Sequence, residues 1–322
     1  MVSEVNAAEI ERRRLEEAEA DSAEIDRIPV RTYWQLVRQR FMQHRLAVFG
    51  VVVLIILAAY AIIVPSVTGD AWRETHLFID DAPPELFNED GDFTFAILGY
   101  NENGQNLFAR LGNATQTSLT IGLAAVIIIV VIGILIGSIA GYVGGWIDNL
   151  LMRFVDIMLS LPALFVILMI TAFFGQGNAI VVILAIGLTG WTTAARLVRA
   201  EFLSLREVDY VAAARALGAS PQRIILRHML PPAMAPIVVA ATLGIADSVV
   251  IESALSFLGF GIGRDSASLG TMLQNAQAYF FSGPLKVVYP GVVLILNRAR
   301  AYAVHLLTAS GVVAAFLAVA EL

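Results

Sequence analysis

Apolar residues in this chain come in long uninterrupted runs, and the runs predict its elements. Leu46 to about Val64 is the first. At about 1.5 Å per residue it is long enough to cross a hydrocarbon core of about 30 Å. It lies too deep in the chain, and runs too long, for a cleaved signal peptide. Further spans follow from Leu119 to about Gly141, through a stretch ending near Phe174, from Ala179 to about Ala195 and from Met234 to about Leu255. A sixth should open at Tyr289-Pro290-Gly291, but the apolar run from Val287 to Leu296 covers only about 15 Å before Asn297, Arg298 and Arg300 interrupt it. The pattern predicts an all-α integral membrane protein with about six transmembrane helices.

The polar stretches between the runs supply the orientation. Residues 1–30 set Arg12, Arg13 and Arg14 against Glu16, Glu17 and Glu19 with no apolar face, which reads as a cytoplasmic tail. In residues 31–66, Trp34, Val37 and Phe41 recur at helical spacing beside Arg31, Arg38, Arg40 and Arg45. Either an interfacial helix or an ordinary positive flank therefore leads into the first span. Residues 67–114 are rich in Asp and Glu but hold only Arg73 and Arg110, so they form an external loop. Arg199, Arg206, Arg215, Arg223 and Arg227 make the loop 199–231 cytoplasmic, as is the amino terminus. A core of residues 115–296 remains, followed by an atypical apolar carboxyl end, 297–322.

Composition narrows the chemistry. The chain has 322 residues, 58% hydrophobic and 15% charged, with a mean hydropathy of +0.75. That is the balance of a membrane protein. The formal net charge of −6 adds little, because the charges are segregated by side. Without cysteine there is no disulfide, thiolate metal site or cysteine nucleophile. No GxxxxGK(S/T) phosphate loop is present and Lys286 is the only lysine, so any ATP coupling must come from a partner.

The loop from Glu207 to Pro231 holds the strongest local signal. Asp209 to Leu217 is a run of helix formers, and Gly218 follows where a left-handed cap would sit. Ser220 is then a candidate N-cap and Pro221 suits a first helical position, giving helix, glycine turn, helix. Ala213-Ala214, Gly218 and Leu230-Pro231 resemble the EAA loop of binding-protein-dependent ABC importers. Ala212 stands where that loop usually has glutamate, and His228 where it has isoleucine. Asp209, three residues before Ala212 and on the same face, can supply the acid. The longer run from Asp209 to Pro231, the run from Ala140-Gly141-Tyr142 to Leu161-Pro162, and Glu252 to Gly259 are similar to the dipeptide/oligopeptide branch, most of all its second permease subunit. Gly99 to Asn106 looks like a worn form of that branch's GTDELGRD, with amides replacing an acid and an arginine.

The resemblance implies a type I ABC importer permease fold, multi-pass in a bacterial or archaeal inner membrane, importing peptides or similar small solutes. It implies four kinds of neighbour: a sister permease subunit, two ATP-binding subunits, an external solute-binding protein and the lipid bilayer. ATP and Mg would sit on the ATP-binding subunits. No nucleic acid, catalytic residue, metal or cofactor is expected in this chain. The helix from Asp209 to Leu217 would lie in a groove of an ATPase subunit. There Tyr210 and Leu217 would anchor it, Ala213 and Ala214 would allow close contact, and Gly218 would set the bend. Asp209, Arg215 and Pro221 complete the coupling set.

Gly133, Gly137 and Gly141 fall every fourth residue, a period that lets another helix approach, whether in a sister subunit or in this one. Arg153 and Asp156 are i,i+3 neighbours and read as a structural pair, with substrate contact as the alternative. Asp247 and Glu252 fall inside a span, where an acid costs roughly 2.5–3.5 kcal/mol at the centre. They should face protein or water, either as hydrogen-bonded packing groups or as lining of the translocation path. Two rival readings stay open. An ion-coupled secondary transporter would use Asp156, Asp247 and Glu252, but leaves the alanine-glycine loop unexplained. The second is a membrane enzyme of the phosphatidyltransferase type: the apolar run from Ala301 resembles the amino-terminal span of phosphatidylcholine synthase, suggesting a fusion or a frame error, although that family's DGxxAR pattern is absent.

Overall fold

A computed structural model describes residues 45–75, 85–87, 93–263, 266–279, 281 and 283–299. The tail 1–30, the interfacial helix expected before Arg45 and the apolar end beyond Ala299 lie outside these residues. The helices are α1 Arg45–Thr68, α2 Leu107–Val143, α3 Gly145–Ser160, α4 Ala163–Phe174, α5 Ala179–Arg206 and α6 Asp209–Ala216. They continue with α7 Pro221–Phe257, α8 Leu269–Ala276 and α9, residues 285–299. Among the described residues, 4 helices are long and apolar enough to cross a membrane, or 5 if the bent pair α3 and α4 is one span.

Three features depart from the sequence pattern. The loop expected over 67–114 contains an antiparallel hairpin, β1 Glu85–Phe87 with β2 Phe93–Ala96. Its last residues are already helix: the Asn106 side chain accepts the backbone N–H groups of Phe108 (3.0 Å) and Ala109 (3.1 Å), so α2 starts at a capped end well before Leu119. The third span is broken, with α3 and α4 meeting at 81°. Leu161 there is extended (φ −89, ψ 135), because proline disfavours a helical residue before it and donates no hydrogen bond itself. Lastly, the run at Val287–Leu296 does not stop at Asn297. The helix continues through Arg298 and Ala299, with Asn297 buried and Arg298 exposed, so the polar residues fall on different faces.

The bundle is organised along α2 and α5, which touch backbone to backbone. A Cβ on Gly133 would lie 2.5 Å from Ala194 Cβ, one on Gly137 2.5 Å from the Ala195 carbonyl oxygen, and one on Gly141 2.5 Å from Phe202 Cβ. The glycine stripe is therefore occupied by this subunit's own α5, not left open for a sister. Leu57, Leu107, Val249, Leu269, Met272 and Val293 form a core that gathers α1, α2, α7, α8 and α9. Ile121, Ile167, Ile186 and Leu255 join α2, α4, α5 and α7.

Candidate functional site at the loop joining α5 to α7

This loop is assembled from local rules. Val208 is extended (φ −80, ψ 141) and turns the chain into α6, with Asp209 in the first turn, where the helix dipole favours an acid. Eight residues are too few to hold a helix by themselves. What fixes α6 is Val211, fully buried among Val198, Phe202, Ile224, Met229 and Ala233. Gly218 then adopts φ +78 with nothing within 4 Å of a would-be Cβ, so the requirement there is backbone conformation rather than space. Its N–H reaches the Arg215 carbonyl (3.0 Å), and the Ala219 N–H reaches that of Ala214 (3.1 Å), closing the helix end. Ser220 Oγ accepts the Arg223 N–H (3.4 Å), and Pro221 opens α7.

The next residues, Ile224–Met229, form a π-helical turn. Pro231 and Pro232 follow it, and neither can donate to a carbonyl one turn back, so a widened turn gives their rings room. The outward surface of the loop is strongly apolar in two places, Tyr210 at 44% and Leu217 at 88% exposure. Ala213 is exposed between them and Ala214 half-buried, while Asp209 and Ala212 are both exposed. Arg215 is exposed too, with its guanidinium 6.0 Å from the Tyr142 ring centroid.

Ion pairs brace the helices that carry this loop. Asp148 on α3, which is buried, accepts both Nε and Nη2 of Arg199 on α5, the latter at 2.6 Å, a bidentate geometry that fixes orientation as well as distance. Asp156 on α3 pairs with Arg196 on α5. The expected Arg153–Asp156 pair is not formed: α3 lies against α5, so Asp156 meets Arg196 across the helix contact while Arg153 points away, exposed. Partners 40 and 51 residues apart in sequence leave no local signature, which is why sequence spacing pairs neither acid with its arginine.

The two acids of α7 have different surroundings. Glu252 is fully buried, and its carboxylate accepts the hydroxyls of Ser118 (2.7 Å) and Ser256 (2.7 Å). Ser118 Oγ in turn accepts the Leu269 N–H (3.2 Å), linking α2, α7 and α8. Asp247 is exposed and lines a cavity of about 490 Å³ among α2, α4, α5 and α7.

Long apolar helices in glycine-mediated contact, with a short, exposed, tethered helix at one end, define a membrane-spanning bundle built to present a loop. The chain belongs to the family of binding-protein-dependent transport system inner membrane components, which it matches over residues 133–319. Residues 32–84 match the N-terminal TM domain of oligopeptide transport permease C. The first match runs past Leu296 and takes in part of the end whose residues depart from the pattern. The oligopeptide transport system permease protein OppC of Escherichia coli (strain K12) is 34% identical over 267 residues, covering 83% of this chain and 86% of that protein. OppC of Bacillus subtilis (strain 168) is 30% identical over 283 residues, covering 87% and 90%. The dipeptide transport system permease protein DppC of Alkalihalophilus pseudofirmus is 32% identical over 265 residues, covering 82% and 84%. The inward-facing MetNI methionine ABC transporter contains a chain that superposes with a TM-score of 0.52 at 18% identity, covering 63% of this chain and 96% of that one. The shared fold is the type I importer permease fold. The protein is a membrane-spanning permease subunit, and neither the ion-coupled carrier nor the phosphatidyltransferase reading is favoured.

Proposed function

We propose that this chain is the second permease subunit of an ATP-driven importer of peptides or similar small solutes. It forms the translocation path with a sister permease, receives cargo from an external solute-binding protein and draws its energy from two ATP-binding subunits that hold ATP and Mg. The observation that carries this reading is the two-sidedness of α6: Val211 is locked into the core while Tyr210, Ala213 and Leu217 stand outside it. A short helix tied to the bundle on one side and apolar on the other suits a groove in an ATPase subunit. Arg206, Arg215, Arg223 and Arg227 cluster beside it, supporting a cytoplasmic position for this end and, by alternation of the spans, for the amino terminus.

On this reading α6 works as a lever. Closure of the ATPase pair displaces α6, and Val211 passes the displacement to α5 through Val198 and Phe202 and to α7 through Ile224 and Met229. The energy comes from unequal contact of α6 with the two ATPase states. Purification of the tagged chain from detergent-solubilised membranes tests this, comparing wild type with Gly218→Val. A β-branched residue held at positive φ costs on the order of 1–3 kcal/mol, so the variant should release the ATPase subunits or hydrolyse ATP without uptake. A wild-type chain that purifies alone, with normal uptake by the variant, would overturn the reading.

A further inference from the structure

The cavity of about 490 Å³ among α2, α4, α5 and α7 is apolar along most of its wall, at Ile129, Ile186 and Leu243, and is relieved by the hydroxyls of Thr189 and Thr193. Among the described residues lining it, one side chain is ionisable, Asp247. Asp247 takes part in none of the ion pairs of the described residues. Glu252, a little over a turn further along α7, shows how this fold treats a carboxylate that serves packing: it is sealed from the cavity and given hydroxyl donors. Asp247 has no such shell and faces open space. A carboxylate at membrane depth is costly, and an entering positive charge offsets that cost. The volume lies within the range of about 300–1,000 Å³ typical of small-ligand sites.

We propose that Asp247 contacts cargo in transit and favours solutes of net positive charge, such as peptides with lysine side chains, over anionic ones. The proposal rests on the importer reading and names the charge preference of its path. The test uses cells expressing the complete transporter and compares uptake of trilysine, trialanine and triglutamate by wild type, Asp247→Asn, Asp247→Glu and a strain lacking this chain. With Asp247→Asn, trilysine uptake should fall about tenfold, trialanine uptake less, and triglutamate uptake not at all. Asp247→Glu should keep the wild-type order, since it restores the charge. No change for any peptide with Asp247→Asn would overturn the proposal. So would an equal loss of all three, and if the sister subunit then co-purifies poorly, the carboxylate belongs to the subunit interface. If deletion of the chain leaves all uptake intact, the importer reading itself fails.

Discussion

The two ends of α7 are built in opposite ways. At the Phe257 end, Gly270 on α8 sits where any Cβ would overlap the Ser253 carbonyl oxygen, and Gly261 sits where one would overlap Ser256. Glu252 ties the same region together through Ser118 and Ser256. At the Pro221 end, Gln222, Arg223, Leu226 and Arg227 are exposed, a π-helical turn widens the helix, and Ile224 and Met229 alone are buried before Leu230. One continuous helix of about 55 Å thus joins a clamped end to a loosely held one. A lever needs that asymmetry, because a displacement at the free end turns the helix only if the other end resists.

The clamped end is the place to break the comparison most severely. Gly270→Val would push a branched side chain against backbone, which cannot swing aside as a flexible side-chain tip can. Overpacking of this kind costs about 1–3 kcal/mol or more. The expected result is loss of folded chain from the membrane, read as the disappearance of a monodisperse peak in detergent. A variant that purifies at the wild-type level would show that α8 is not clamped. Glu252→Ala comes next. It leaves the Ser118 and Ser256 hydroxyls without their acceptor, worth about 1–3 kcal/mol, and should lower the melting midpoint in detergent. Glu252→Gln keeps an acceptor oxygen and should lose less. Equal midpoints for the two variants would mean that the carboxylate's hydrogen bonds contribute nothing.

These two sites also mark how far sequence could reach. The positions of the apolar runs, the glycine period of α2 and the helix, glycine turn, helix of the loop were all legible, because each follows from local spacing or backbone preference. Gly218 at φ +78 is the clearest case. That Glu252 faces protein was also foreseeable from the cost of an acid in a span, and Ser256 lies one turn along the same helix, yet Ser118 comes from α2 and only tertiary structure brings it to the carboxylate. The break between α3 and α4 was masked by continuous hydropathy across Leu161-Pro162, which records how apolar a segment is and not its direction. The early start of α2 was hidden in an acidic loop. There Asn101 and Gln105 hydrogen-bond each other (3.0 Å) where the resembling motif has an acid and an arginine. Asn106 takes the cap, and Arg110 donates to Gln105. The amides thus hold the turn through hydrogen bonds at the positions where the motif has an acid and an arginine.

A smaller effect is expected from Asp156→Asn. The pair with Arg196 is more than half exposed on both sides, and pairs of that kind contribute about 0–1 kcal/mol and weaken with salt. The melting midpoint should shift by at most about 3 °C, and high salt should erase the difference. A larger, salt-independent drop would show that α3 is held to α5 here as firmly as it is at Asp148 and Arg199.

The smallest effect on the chain itself should come from Leu217→Asp, which sharpens the comparison most. Leu217 is 88% exposed, and surface substitutions away from packed features usually stay within about 0.5 kcal/mol, so the isolated chain should melt as wild type does. If α6 serves only to connect α5 and α7, nothing else should change. If its outer face seats in an ATPase groove, burying a new carboxylate there carries a desolvation penalty with no partner to offset it, and ATPase subunits should be lost on purification while the sister permease is retained. Val211→Asp on the opposite face makes the control, since it removes the buried anchor and should lower the melting midpoint outright. Two substitutions, one on this short helix and one at its C-cap, would then separate cleanly, one in stability and one in partner capture. Parallel losses in both measurements would mean that α6 has no free face and that the loose end of α7 is no lever.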